Sequence, residues 1–347
     1  MNSRVESKWV GWQKQWKWLF LGIVAVFVLF VLPFCFDTPR LMHIYISTIS
    51  MIGVAAGLRL IMLTQRFSMG QAAFMGIGAY MSAVLATRYD VDPLLGLLIG
   101  GISATIVAIF FGYISLRLSG MYFAMVTLAL GEILVRLYLW WDSVTGGYMG
   151  LARLSGYHID VFGMEVTFGL IDLRPYYFLI CFITFLAMLV YWRLEYSRIG
   201  IALRSTGQND VLAQHLGVNV TRYRVLAFAI PAFFTGVVGA FTAHYLHTVD
   251  PSQFGISASF NPILVCILGG IHLFAGPVIG ALAMTGITEG ISNTKDLHPI
   301  ILGGILILIM IFLPNGLVSL PEKMKGVLKT LKRKNPFTTE VESISLD

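Results

Sequence analysis

The chain has 347 residues, 57% of them apolar and only 12% charged, with a mean hydropathy of +0.79. A water-soluble domain of this length carries roughly 25% charged residues, so an aqueous globular fold is excluded. The net charge of +6 follows membrane orientation along the chain and gives no footing to a nucleic-acid partner.

Apolar stretches of about 20 residues, each long enough to cross a bilayer, recur as far as residue 317. Residues 1–17, with Arg4, Lys8, Lys14 and Lys17, form a cytoplasmic N-terminus. A first span over 18–36 runs into Leu32-Pro-Phe-Cys-Phe-Asp-Thr-Pro39. No small-x-small cleavage site lies there, so the span is an uncleaved helix. Further spans are expected at 41–63, 67–87, 94–116, 119–141, 175–193, 225–247, 259–275, 276–293 and 299–317. The segments at 67–87, 259–275 and 276–293 are short or glycine-rich, which gives eight to ten transmembrane helices. The domain order is then an N-terminal helical part over 18–193 with an outside loop at 142–174, and a cytoplasmic loop at 194–224. A C-terminal helical part over 225–317 and a basic cytoplasmic tail over 318–347 complete it.

With the N-terminus inside, seventeen Lys and Arg fall in cytoplasmic segments, among them Arg66, Arg117, Arg198, Arg204, Arg222 and Arg224. Five (Arg40, Arg88, Arg153, Arg174 and Lys295) fall outside, and Arg59 and Arg136 lie within spans. The positive-inside rule therefore fixes the expected orientation, with both termini cytoplasmic.

Within the spans, Gly96/Gly100, Gly276/Gly280 and Gly286/Gly290 are GxxxG pairs that let helix backbones approach closely. The segment Ser68-Met-Gly-Gln-Ala-Ala-Phe-Met-Gly-Ile-Gly-Ala-Tyr80 is either tightly packed or a half-helix. In the second case its N–H groups, near Gly70 and Gln71, would face a substrate carboxylate. Glu132 and Arg136 are four apart and either form an ion pair or line a polar path with Thr127 nearby. Arg59 is expected to snorkel to the inner interface, and Glu289 to sit near the outer one.

Chemistry of other kinds is missing from the sequence. There is no GxxxxGK[ST], no HExxH and no Cys/His metal spacing, so neither a P-loop ATPase nor a metalloenzyme is expected, and no residue is assigned as catalytic or metal-binding. Cys35, Cys181 and Cys266 are scattered in apolar segments as packing residues. His244 and His247 are three apart near an outer helix end.

The inside loop is too polar for a mere connector. Asn209 or Asp210 can cap a short helix that stops at Gly217, with Val211, Leu212 and Leu216 on an apolar side. That side would either lie on the membrane surface or sit in a partner's groove.

These blocks resemble the permease subunits of bacterial branched-chain amino acid ABC importers, of the M (LivM) type. The resemblance covers about residues 50–318. It rests on Ser68–Tyr80, Leu116–Leu134, Thr145-Gly-Gly-Tyr-Met-Gly-Leu151, Ser197–Leu203, Leu216–Arg224, Leu268–Gly270, Gly276–Gly280 and Phe312–Leu317. The chain departs from the family pattern at Gly207 and Gln208, where a charged pair is common, at Gln71, where histidine is common, and at Ile271–Ala275.

The resemblance implies an all-α polytopic ABC importer permease in a prokaryotic inner membrane, embedded in lipid. Its partners would be a second, LivH-like permease, two LivG/LivF-like ATP-binding subunits and an extracytoplasmic binding protein. ATP and Mg would bind the ATPase subunits, leaving this chain without a cofactor of its own. Asp210, Val211, Ala213, Leu216 and Gly217 match the helix that couples to the ATPase. Gly70, Gln71, Thr127 and Glu132 are candidates for the substrate path, and Thr145, Gly146 and Gly147 for contact with the binding protein. The expected cargo is Leu, Ile or Val. Related permeases for urea, amides or aromatic acids share the architecture, and an ion-coupled carrier is a further alternative.

Overall fold

The computed structural model describes residues 38–115, 118, 120–161, 164–168, 172–291, 298–313 and 316–319. The expected span at 18–36, the basic N-terminus and the tail from residue 320 lie outside these residues.

The helices run in the order α1 (Pro39–Met62), α2 (Gln71–Tyr89), α3 (Pro93–Ser115), α4 (Met121–Trp140) and the single turn α5 (Asp142–Thr145). They continue with α6 (Arg174–Glu195), α7 (Arg198–Gln208), α8 (Asp210–His215), α9 (Val220–Leu246), α10 (Ile256–Gly269), α11 (Gly276–Gly290) and α12 (His298–Phe312). Among the described residues, six stretches are long and apolar enough to cross a membrane: α1, α3, α4, α6, α9 and Pro251–Gly269. The chain is an all-α, multi-pass membrane protein. Two short strand pairs, unforeseen in the sequence, decorate one end: β1 (Leu151–Ala152) with β4 (Thr248–Val249), and the hairpin β2 (His158–Val161) with β3 (Met164–Thr167).

Helix starts follow local chemistry. Pro39 and Pro93 stand at the first positions of α1 and α3, where their missing N–H costs nothing. Asp92 accepts from the N–H of Leu94 at 2.8 Å.

The chain divides into two compact units, Met1–Cys266 and Ile267–Asp347. In the first, α9 is the central helix and packs against α1, α2 and α3. The approach is backbone on backbone. A Cβ at Gly78 would collide with the backbone of Gly236, one at Gly239 with that of Met75, and one at Gly100 would stand 2.8 Å from the Gly78 carbonyl. Side chains larger than hydrogen would push α2, α3 and α9 apart, which is why glycine recurs where helices associate in lipid. An aromatic cluster closes the His244 end of α9: Tyr157 meets Phe168 and Tyr176 edge-on, Phe168 meets Tyr176 edge-on, and Tyr157 lies nearly parallel to Phe241. In the second unit, α11 and α12 pack on each other, and Gly276 abuts the Gly270 backbone. Gly286 and Gly290 meet no described atom that an added Cβ would touch.

The two ends of the first unit are built from the loops that charge counting assigns to opposite sides. Residues 64–66, Gly120, Thr206–Asp210 and Arg224 share one cleft. At the other end Arg88 donates to the Ser143 carbonyl, and β1 pairs with β4. His244, fully buried, ties this end together: Nδ1 meets the Ser155 carbonyl at 2.8 Å and Nε2 meets Ser82 Oγ at 2.8 Å. The carbonyl can only accept, so Nδ1 carries the proton and Nε2 accepts from the hydroxyl.

Candidate functional site: the elbow between α6 and α9

The segment from Glu195 to Arg224 folds as two consecutive helices rather than the single one expected. Ser197 caps α7 by accepting from the Ile199 N–H at 3.1 Å, and Asn209 caps α8 by accepting from the Leu212 N–H at 3.0 Å. Asn219 does the same for α9 toward Arg222 at 3.1 Å. Such caps satisfy N–H groups the helix itself leaves open. At the far end of α8, Gly217 adopts φ +81, the Gly217 N–H donates to the Gln214 carbonyl at 2.9 Å and the Val218 N–H to the Ala213 carbonyl at 3.0 Å. This is a Schellman stop, in which only glycine is unstrained.

Buried charge holds the elbow to the membrane body. Glu195, 4% exposed at the end of α6, accepts from Arg59 of α1 through two nitrogens, at 2.5 and 2.9 Å, and from Arg204 of α7 at 2.6 Å. Arg59 therefore lies inside the bundle, 3% exposed, and does not snorkel as the sequence suggested. A carboxylate with two guanidinium partners explains its burial, since a lone charge there would be costly. A second ion pair joins Arg224 of α9 to Asp210 of α8. Gly207 sits against the turn after α1, where a Cβ would stand 2.7 Å from the Leu63 carbonyl. A charged side chain at that position, common in the resembling family, has no room here.

The α8 side chains divide sharply. Val211, Leu212 and Leu216 are 63%, 58% and 75% exposed, whereas Ala213 is buried. Asp210 is held by Arg224 and Gly217 ends the helix. Three large apolar side chains on this short, well-anchored helix and its C-terminal cap thus form an exposed apolar face.

Above α8 lies a cleft of about 390 Å³. Arg66 and Arg224 line it, 3% and 8% exposed. Arg66 rests over the Phe123 ring at 5.5 Å, and among the described residues its Nη1 has no hydrogen-bond partner, nor has Nε of Arg224. Burial foremost, and then the neighbouring Arg224 charge, pull the Arg66 guanidinium down to about 10. Neither the cleft nor Glu195 was singled out from the sequence.

Gly70, Gln71 and Thr127 come together where α2 starts beside α4. The Met69 N–H donates to Thr127 Oγ1 at 3.0 Å, and a Cβ on Gly70 would stand 3.2 Å from the Thr127 carbonyl. Gln71 accepts from Thr235 Oγ1 at 3.0 Å, and its Nε2 has no partner among the described residues. All three are buried. Glu132 is not with them: it lies farther along α4, half-buried, and Arg136 is exposed. No ion pair joins these two among the described residues.

At the opposite end, Thr145 is buried and donates to the carbonyls of Tyr138 at 2.5 Å and Trp141 at 2.8 Å. Gly146 and Gly147, with φ +75 and +55, form the turn that follows. The side chains offered outward are their neighbours Tyr148 and Met149, 82% and 94% exposed. No group of His, Cys, Asp or Glu among the described residues has a metal-binding arrangement.

The family model described as "Branched-chain amino acid transport system / permease component" matches residues 41–312. The high-affinity branched-chain amino acid transport system permease protein LivM of Escherichia coli (strain K12) is 28% identical over 323 residues, covering 86% of this chain and 75% of that protein. LivM of Salmonella typhimurium is 27% identical over 298 residues, 79% and 69% of the two chains. The LivH permease of Escherichia coli (strain K12) is 28% identical over 171 residues, 48% and 53% of the two. No solved structure matches the chain.

Proposed function

The chain belongs to the branched-chain amino acid transport system permease component family, and from that membership we propose that it is the M-type membrane subunit of an ATP-driven importer carrying Leu, Ile or Val. It is a transport subunit, not an enzyme, and it works beside a second permease. ATP and Mg belong to two further ATP-binding subunits, and an extracytoplasmic binding protein delivers the cargo. The surface carrying this reading is α8: apolar outward, capped at both ends, and tied to α9 through Asp210 and Arg224. A helix so anchored can pass a displacement on, because its contacts differ between two states of the bundle.

In this reading the elbow faces the cytoplasm, supported by the concentration of Arg and Lys in the loops that meet there. Asp210, Val211, Ala213, Leu216 and Gly217 form the coupling element. Thr145, Gly146 and Gly147 shape the outer turn that meets the binding protein. Gly70, Gln71 and Thr127 border the path, supported by the unpartnered buried amide of Gln71. Glu132 borders it too, supported by a half-buried carboxylate in mid-span, an expensive placement away from water or a partner.

The test is reconstitution with the second permease, the ATPase subunits and the binding protein. ATP-dependent leucine uptake is expected, and none from this chain alone. Replacing Val211, Leu212 and Leu216 together by Ser should cut uptake more than about tenfold while leaving stability within about 0.5 kcal/mol, because all three are exposed. Uptake by the chain alone, without nucleotide, would sink the importer reading. Undiminished uptake in the triple variant would sink the role of α8.

A further inference from the structure

The cleft above α8 is charged in a way the coupling role does not explain. Its described lining holds two guanidinium groups, Arg66 and Arg224, against the single carboxylate of Asp210. One positive charge is thus in excess, in a place where Arg66 is 3% exposed and Arg224 8% exposed. Asp210 engages one terminal nitrogen of Arg224, leaving Nε of Arg224 and Nη1 of Arg66 without hydrogen bonds among the described residues. Buried donors on charged groups cost free energy when unmet. Phe123 offers Arg66 a ring face but no acceptor.

We propose that the cleft binds the phosphodiester headgroup of an anionic phospholipid, held between Arg66 and Arg224. The charge matches, since a phosphodiester brings one negative charge to one excess positive. The depth matches as well: Arg66 follows the end of span α1 at Met62, and Arg224 stands at the start of span α9, so both sit at the level of lipid headgroups. Basic pockets between spans at the inner face take such headgroups. The mouth is apolar on one side. Gly120, where an added Cβ would meet no described atom, leads directly into Met121 and Tyr122, 73% and 69% exposed, and Phe67 next to Arg66 is 42% exposed. Acyl chains can continue along that face of α4. A soluble phosphate ester offers the same headgroup chemistry without chains to lay there. The proposal rests on the functional reading only for naming the leaflet as cytoplasmic.

The full-length chain, alone and with its partner subunits, is titrated with phosphatidylglycerol, phosphatidylcholine and soluble glycerol 1-phosphate, and bound molecules are counted by native mass spectrometry. Phosphatidylglycerol should bind at least tenfold more tightly than either of the others. Arg66→Gln should weaken it about tenfold or more, the worth of one charged hydrogen bond. Gln208→Glu, which puts a carboxylate at the exposed lip of the cleft without touching the core, should weaken it similarly. Both variants are compared at matched melting temperature, so a folding defect in the first leaves the second decisive. Equal affinity for the two lipids, or parental affinity in both variants, would overturn the proposal. So would equal binding of glycerol 1-phosphate, or loss of lipid on adding the partner subunits, which would give the cleft to a soluble ester or to a partner's carboxylate. Leucine uptake has no part in this readout, so failure of the importer reading and failure of the lipid site are told apart.

Discussion

Glu195 shows how much a single buried carboxylate can organise. It joins α1, α6 and α7 by accepting from Arg59 and Arg204. Glu195→Ala takes the bidentate partner from a buried Arg59, a change that typically costs about 3–5 kcal/mol. A large fall in melting temperature is expected in detergent. Pairing it with Arg59→Met should restore most of the loss, and a double variant no more stable than Glu195→Ala would refute the account. The sequence hid this pair for a physical reason. Arg59 and Glu195 are 136 positions apart, and hydropathy reports how apolar a window is, not which distant charge it will meet. Glu132 and Arg136 drew attention instead because their spacing is local, yet they do not join. Spacing permits a contact on a helix but does not choose the rotamers that make it.

Among the elements, α8 was the most legible. Its start at Asn209 and stop at Gly217 are signals written within a few residues of the feature they control. The helix before it, α7, was not read, because its polar content resembles loop composition. The pairing of β1 with β4 could not be read at all, since two-residue strands have no periodicity. The glycines were half legible. GxxxG spacing found Gly100, but the close contacts also involve Gly78, Gly236 and Gly239, and only the fold says which spaced glycines face another backbone. This gives a paired prediction. Gly78→Ala places a methyl group into the Gly236 backbone and should leave little folded protein on fluorescence-detected size exclusion, since overpacking of this kind costs at least about 1–3 kcal/mol. Gly286→Ala, with no described neighbour in reach, should elute like the parent. Equal behaviour of the two would show that backbone contact is not what these positions select.

For the whole molecule, composition alone settled that the fold is a helical membrane bundle, because few charged residues leave no other solvent for it. Part of the loop grouping is visible among the described residues of the first unit: Arg66, Gly120, Thr206–Asp210 and Arg224, which charge counting puts on one side, share one cleft, and Arg88, Ser143 and the β1–β4 pair lie away from it. Absolute orientation is open to direct test. With Cys35 and Cys181 replaced by Ser, Met149→Cys should react with a membrane-impermeant maleimide on intact cells, whereas Leu216→Cys should react only after permeabilisation. Both sites are highly exposed, at 94% and 75%, so failure to label cannot be blamed on burial. The opposite pattern would invert the orientation and place the elbow outside.

The pairing of β1 with β4 also bears on how the chain is made. Leu151 meets Val249 and Ala152 meets Thr248, so the two halves of this ladder leave the ribosome about a hundred residues apart. At roughly 5–20 residues per second, β1 waits about 5–20 seconds for its partner. During that interval α6 and α9 must insert, and the edge of β1 stays unpaired. The cap that this ladder closes is therefore a late product of biogenesis.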